Sequence, residues 1–87
     1  MGKAKEPWQM TKEEAAERTF KKYIENIRRV GRNKIADRAE SMGYKRLAQG
    51  NEDFAKRLTE HRTIVKQALQ KGKLVPAEVL VDYPQLP

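Results

Sequence analysis

Asn51-Glu-Asp-Phe-Ala-Lys-Arg-Leu-Thr-Glu-His-Arg-Thr-Ile-Val-Lys-Gln-Ala-Leu-Gln-Lys-Gly72 decides the fold of this chain. Phe54, Leu58, His61, Val65 and Ala68 recur at spacings of four and three, which places them on one stripe of an α-helix. Ile64 and Leu69 widen that stripe. Asn51 is suited to capping its start. Lys71 and Gly72 stop it, with positive charge where the helix dipole is negative and glycine where the chain must turn left-handed. The pattern predicts a helix over 52–70. No strand-period alternation occurs anywhere in the chain, so the expected class is all-α.

Working outward, Lys73-Leu-Val-Pro76 follows, and Pro76 fits the first position of a short helix over 77–81. Pro84 ends that turn and biases Tyr83 away from helix. Upstream, Gly50 reads as the residue closing a preceding helix over 34–48, capped by Asn33. Its apolar set is thin (Ile35, Ala36, Ala39, Met42, Leu47), and Gly43 interrupts it. Before that, Thr11-Lys-Glu-Glu14 is a capping box opening a helix over 12–30, with Glu13 and Glu14 suited to the positive N-terminus. Ala16, Phe20, Tyr23, Ile24 and Ile27 form its stripe, and Gly31 is its stop. The connections are short, so neighbouring helices should lie antiparallel or cross steeply. The expectation is a small three- to four-helix bundle with an ordered proline-containing C-terminal tail. Residues 1–10 read as an N-terminal tail that becomes ordered near Trp8, and 11–87 as a single helical domain. Phe20, Tyr23, Ile27, Phe54, Leu58 and Val65 are expected at the centre of the core.

Composition narrows the function classes. A chain of 87 residues makes one domain at most and has a small core. No aliphatic run approaches the ~18 residues that span a bilayer, and the opening residues lack the apolar segment of a signal peptide. Cysteine is absent, so disulfides and thiolate metal sites are excluded, and a reducing cytoplasm is the expected location. The inventory for catalysis is poor: one histidine, His61, and one serine, Ser41, on different predicted helices. A nucleophile needs a base and an orienting group in contact with it, and nothing in the spacing supplies them. His61 reads as a half-buried residue at the core edge. One histidine without cysteine does not make a zinc site. Glu13, Glu14 and Glu17 suit capping and a solvated face better than a cation, and the scattered glycines form no phosphate loop. No enzyme activity, cofactor or metal is expected.

The charge is informative. The sequence carries +7 overall. Between Arg18 and Arg46 lie ten Lys or Arg against three acids, which gives 10 − 3 = +7, so the flanks together are neutral. Arg28, Arg29, Arg32 and Lys34 put four cations into seven residues at a helix end, and Arg38, Lys45 and Arg46 would extend the patch over the second helix. The DNA or RNA phosphate backbone is the expected partner of these seven residues, since neutralising phosphates releases counterions. A solvated basic face and an acidic protein surface are the alternatives. A helix-turn-helix alignment over 34–57 fits at Ala39, Met42 and Gly43 but puts Gln49 and Arg38 where apolar residues belong. Tyr44 is the one aromatic of the basic stretch placed to stack on a base, although packing against a helix suits it better.

Two phrases carry a resemblance. The first is Pro7-Trp-Gln-Met-Thr-Lys-Glu-Glu14. The second is His61-Arg62, Ile64-Val65, Ala68-Leu69, Gly72-Lys73, Val75-Pro76, Glu78-Val79-Leu80 and Asp82-Tyr83-Pro84. Together they resemble the edges of an accessory domain of large polyvalent phage and plasmid proteins. The resemblance implies a mobile-element origin and an accessory role without catalytic residues, and it does not reach the middle of the chain. Trp8 and Tyr83, each beside a proline just outside a helix, suggest that the terminal segments meet and cap one end of the bundle. The competing role for Trp8 is an exposed anchor for a partner. The functional expectation is a small, non-enzymatic, cytoplasmic module that binds nucleic acid through its basic face. The alternative is a protein-interaction module that inhibits or regulates a host protein.

Overall fold

The computed structural model describes residues 5–86. A 3-10 turn, Pro7–Gln9, precedes three long helices, α1 (Lys12–Arg29), α2 (Asn33–Gly50) and α3 (Glu52–Gln70), and a short α4 (Ala77–Asp82). The protein is thus a small all-α bundle whose elements follow from local chemistry. The Glu14 amide donates to the Thr11 hydroxyl at 3.2 Å and the Thr11 amide donates to the Glu14 carboxylate at 3.0 Å, closing the capping box. Asn51 ends α2 and caps α3, its side-chain oxygen accepting from the Phe54 amide at 3.0 Å. Helices α1 and α3 stop in the same way. In α1 the amides of Gly31 and Arg32 turn back to the carbonyls of Arg28 and Ile27. In α3 those of Gly72 and Lys73 turn back to Leu69 and Ala68. This is the Schellman arrangement, which satisfies carbonyls that a helix end leaves open.

Gly43 shapes the bundle most. It sits inside α2 with φ 80 and ψ 165, backbone that a side chain would resist, so α2 is two helical segments at an angle. Arg28 of α1 pairs with Asp37 before the break. Tyr44, just after it, shares a cavity with Ala16 of α1. Asn51 then donates its side-chain amide to the Tyr23 hydroxyl at 2.9 Å. The chain therefore runs down α1, climbs back beside it over residues 33–42, bends at Gly43 near the start of α1 and descends to the level of Tyr23 before α3 starts.

The core is divided. One cluster holds Ile24, Ala36, Ala39, Leu47 and Phe54, with Phe20, Tyr23, Ile27, Tyr44 and Leu58 packed around it. Phe54 is fully buried and meets the Phe20 ring edge-on at 6.0 Å and the Tyr23 ring at 5.2 Å. A second cluster holds Val65, Val79 and Tyr83, with Leu69, Val75 and Leu86 against it. There α4 and the tail fold back on the far half of α3. The division corrects the single expected core, because Val65 belongs to the second cluster. It also explains the shape: the radius of gyration is 14.5 Å, against roughly 12 Å for a compact domain of this length.

Four further expectations shift. Asn33, expected to cap the second helix, is its first residue; Arg32 holds the N-cap position and no side chain caps it. Ile35, assigned to the apolar set of the second helix, is exposed because α2 turns Ala36 and Ala39 inward instead. Pro76 is the N-cap of α4 with extended backbone, one place before the expected position. Gly50 is the last residue of α2 and has no left-handed backbone, because Asn51 does the capping.

Candidate functional site

The turn from α1 to α2 is a tip rich in cations. Arg28 is not free. Its guanidinium lies 2.7 Å from Asp37 and 3.4 Å from Glu40, so it ties the end of α1 to the start of α2. Arg29, Arg32, Lys34 and Arg38 are exposed, and among the described residues none of them stands within ion-pair distance of a carboxylate. Lys34 and Arg38 lie four apart on α2 and share a face. Val30 and Ile35, at 70% and 53% exposure, stand among them.

The seven expected site residues are not brought together. Lys45 lines a cavity with Lys12, Glu13 and Asp82, and its ammonium is 5.9 Å from the Tyr44 ring centre. Lys12 and Arg29 are the two ends of α1, about 25 Å apart at a 1.5 Å rise per residue. The part of α2 before Gly43, climbing beside α1, therefore carries Lys45 away from the tip. Arg46 is exposed on the segment after Gly43. Tyr44 is half-buried against the first core cluster, as the packing role requires.

Three cations outside the expected set converge elsewhere. Arg18 and Lys22 of α1 and Arg57 of α3 line a cleft between these helices. The i, i+4 spacing of Arg18 and Lys22 was readable, but the approach of Arg57 across α3 is a tertiary fact with no local signature.

At the other end the terminal segments do meet. His61 is 6% exposed rather than half-buried, and both ring nitrogens are used. Its Nε2 is 2.8 Å from the Pro7 carbonyl and its Nδ1 is 2.7 Å from the Tyr83 hydroxyl. A carbonyl only accepts, so Nε2 carries the proton, and in the neutral ring Nδ1 accepts from the Tyr83 hydroxyl. Burial raises the Tyr83 phenol above its ordinary value, with the neighbouring Asp82 adding to the effect. The Asp82 carboxylate accepts from the Lys12 amide at 2.8 Å, joining α4 to the start of α1. Lys5 reaches Glu14 at 3.1 Å and Glu78 at 3.8 Å. The hydrogen bond to Glu14 raises the Lys5 ammonium, and the Thr11 amide together with Lys5 lowers the Glu14 carboxyl. Trp8 is half-buried, its indole N–H donates to Glu6 at 2.6 Å, and Lys73 lies 5.2 Å from its ring centre.

The one histidine and the one serine are both engaged. His61 serves the clasp, and the Ser41 hydroxyl donates to the Arg38 carbonyl at 2.8 Å. No described helix is long and apolar enough to cross a membrane. Set against protein-family models, curated proteins and solved structures, the chain matches none of them.

Proposed function

We propose that this chain is a small, non-enzymatic accessory module that binds nucleic acid through the tip between α1 and α2. The observation that carries the reading is a contrast between neighbours. Arg28 is neutralised by Asp37 and Glu40, while Arg29, Arg32, Lys34 and Arg38 project into solvent without carboxylate partners among the described residues. Like charges held this close repel one another, and an anionic partner relieves the repulsion. Binding through such a surface is electrostatic and nearly independent of sequence, because the contacts go to phosphates. The commitment of His61 and Ser41 to structural hydrogen bonds supports the non-enzymatic part. The resemblance of the terminal phrases to an accessory domain of phage and plasmid proteins supports the setting.

The test is a titration of labelled single- and double-stranded DNA and RNA at two salt concentrations. The expected result is binding that weakens steeply with salt. Replacing Arg29, Arg32, Lys34 and Arg38 with Gln should flatten the salt slope by roughly three units. Absence of binding at low salt refutes the reading. A second reading is favoured by Val30 and Ile35, two exposed aliphatic side chains among the cations. These suit an acidic protein partner with an apolar centre to its interface. In that case Val30→Ser and Ile35→Ser would abolish capture of the partner, while a purely phosphate-directed tip would tolerate both.

A further inference from the structure

The cleft between α1 and α3 has the form of a site. Two adjoining cavities share Thr19, Lys22, Arg57 and Glu60 along their walls. Arg18 and Lys22 stand one turn apart on α1, and Arg57 faces them from α3. Glu60 is the one carboxylate lining either cavity, and among the described residues no ion pair joins it to these three cations. The local balance is therefore 3 − 1 = +2 around a concave space. Pro7, Met10, Ala15 and Ile64 give it a mostly apolar floor, with the His61 ring beside them. Beside the cations, the Thr19 hydroxyl and the Asn26 amide at the outer end offer neutral hydrogen-bonding groups.

Cations on the rim and an apolar floor together describe a ligand that is anionic at one end and flat and apolar at the other. The inner cavity is about 200 Å³, below the roughly 300–1,000 Å³ of sites for larger ligands. That size admits one planar ring. A phosphate ester attached to a nucleobase has this chemistry, and proteins that take up a single unstacked base hold it between aromatic or apolar side chains. Lys22 and Arg29 are seven residues apart on α1, about 10 Å along its axis, so a strand lying in the cleft reaches the tip.

We propose that the α1–α3 cleft holds one nucleotide, its phosphate on Arg18, Lys22 and Arg57 and its base on the floor of Pro7, Met10 and Ile64. The floor depends on the clasp, because the Pro7 carbonyl is fixed by His61 at 2.8 Å. The assignment deepens the nucleic-acid reading by naming single strands as the preferred form. It stands apart from that reading in its residues, none of which belongs to the tip. The same chemistry is also presented by a free nucleotide.

Amide chemical shifts and fluorescence anisotropy with an oligothymidylate, a nucleoside monophosphate and inorganic phosphate test it. The oligothymidylate should shift the Thr19, Lys22 and Ile64 amides. A Lys22→Gln/Arg57→Gln variant should weaken its binding about tenfold and flatten the salt slope by about 1.4. Glu60→Gln should tighten binding severalfold, a gain that misfolding cannot imitate. If the cleft variants bind the oligomer like the parent while the tip variants do not, the cleft assignment is overturned and the tip reading survives. If the oligomer fails to bind but the monophosphate shifts Thr19 and Ile64, the tip reading falls and the cleft stands as a site for free nucleotide. Equal shifts from inorganic phosphate, with Ile64 unmoved, overturn the base pocket. No shift from any probe overturns the whole assignment.

Discussion

At one end of the bundle His61 commits both ring nitrogens, to Pro7 and to Tyr83. At the other, Arg29, Arg32, Lys34 and Arg38 end in solvent. Both ends are rich in polar side chains, yet only the first satisfies them internally. Asp82 meets the Lys12 amide, Glu14 closes a cap, and Lys5 answers two carboxylates. At the tip the available acids, Asp37 and Glu40, both go to Arg28. A buried polar group must find a partner or it destabilises the fold, whereas an exposed charge need not. The clasp is therefore explained by stability and the tip is not, which is why the tip is read as a surface for something else.

The contrast can be broken experimentally, and the largest effect belongs to the clasp. His61→Ala removes two hydrogen bonds and leaves the Pro7 carbonyl and the Tyr83 hydroxyl facing a void. The expected loss is about 3 kcal/mol, seen as a melting temperature lower by roughly 15 °C. A loss below about 1 kcal/mol would show that the clasp is decorative. Trp8→Ala comes next, at about 1–2 kcal/mol, since the half-buried indole holds the first turn beside Lys73. An unchanged melting temperature there would return Trp8 to the role of a free anchor.

Tyr83→Phe should cost about 1 kcal/mol, the worth of the hydroxyl bond to Nδ1. It also sharpens a pH effect whose sign follows from the raised phenol. The folded state keeps the Tyr83 proton to higher pH than the unfolded chain does, so this contribution is complete below about pH 10 and is lost as pH rises beyond it. Urea midpoints measured on either side of that pH should fall for the parent and fall less for Tyr83→Phe. The smallest effect on stability belongs to the tip. Exchanging Arg29, Arg32, Lys34 and Arg38 for Gln should move the melting free energy by less than about 0.5 kcal/mol per site while removing the proposed anion-binding surface. A large destabilisation would mean that these cations have structural partners after all.

What the sequence made legible divides along the same line. The start of α1 and both ends of α3 follow from caps built within a few residues: Thr11 with Glu14, Asn51 with Phe54, and Gly72 with Lys73. The helical stripes marked which faces are apolar, but not which helix each face meets. That is why the stripes group Val65 with Phe54, whereas it lies with Val79 and Tyr83. Gly43 reads as an interruption, yet the path on either side of it, up along α1 and then back to Tyr23, is set by tertiary packing. The climb before Gly43 is what removes Lys45 from the tip. His61 was placed at the core edge because its stripe position gave no sign of two partners 54 residues upstream and 22 downstream. The Arg57 contribution to the α1–α3 cleft was invisible for the same reason.

The clasp has a further consequence in time. Its bonds at His61 and Asp82 join segments far apart in the chain, as far as Lys12 to Asp82, 70 residues away, while the helices and the tip form from near neighbours. Closing long loops costs entropy that is recovered only once the intervening structure exists. The terminal segments should therefore lock after the folding barrier has been crossed. On that view His61→Ala leaves the refolding rate almost unchanged and accelerates unfolding. Stopped-flow refolding and unfolding of the variant and its parent would show the change almost wholly in the unfolding arm. The clasp thus acts as a latch that sets how long the folded molecule lasts rather than how fast it is made.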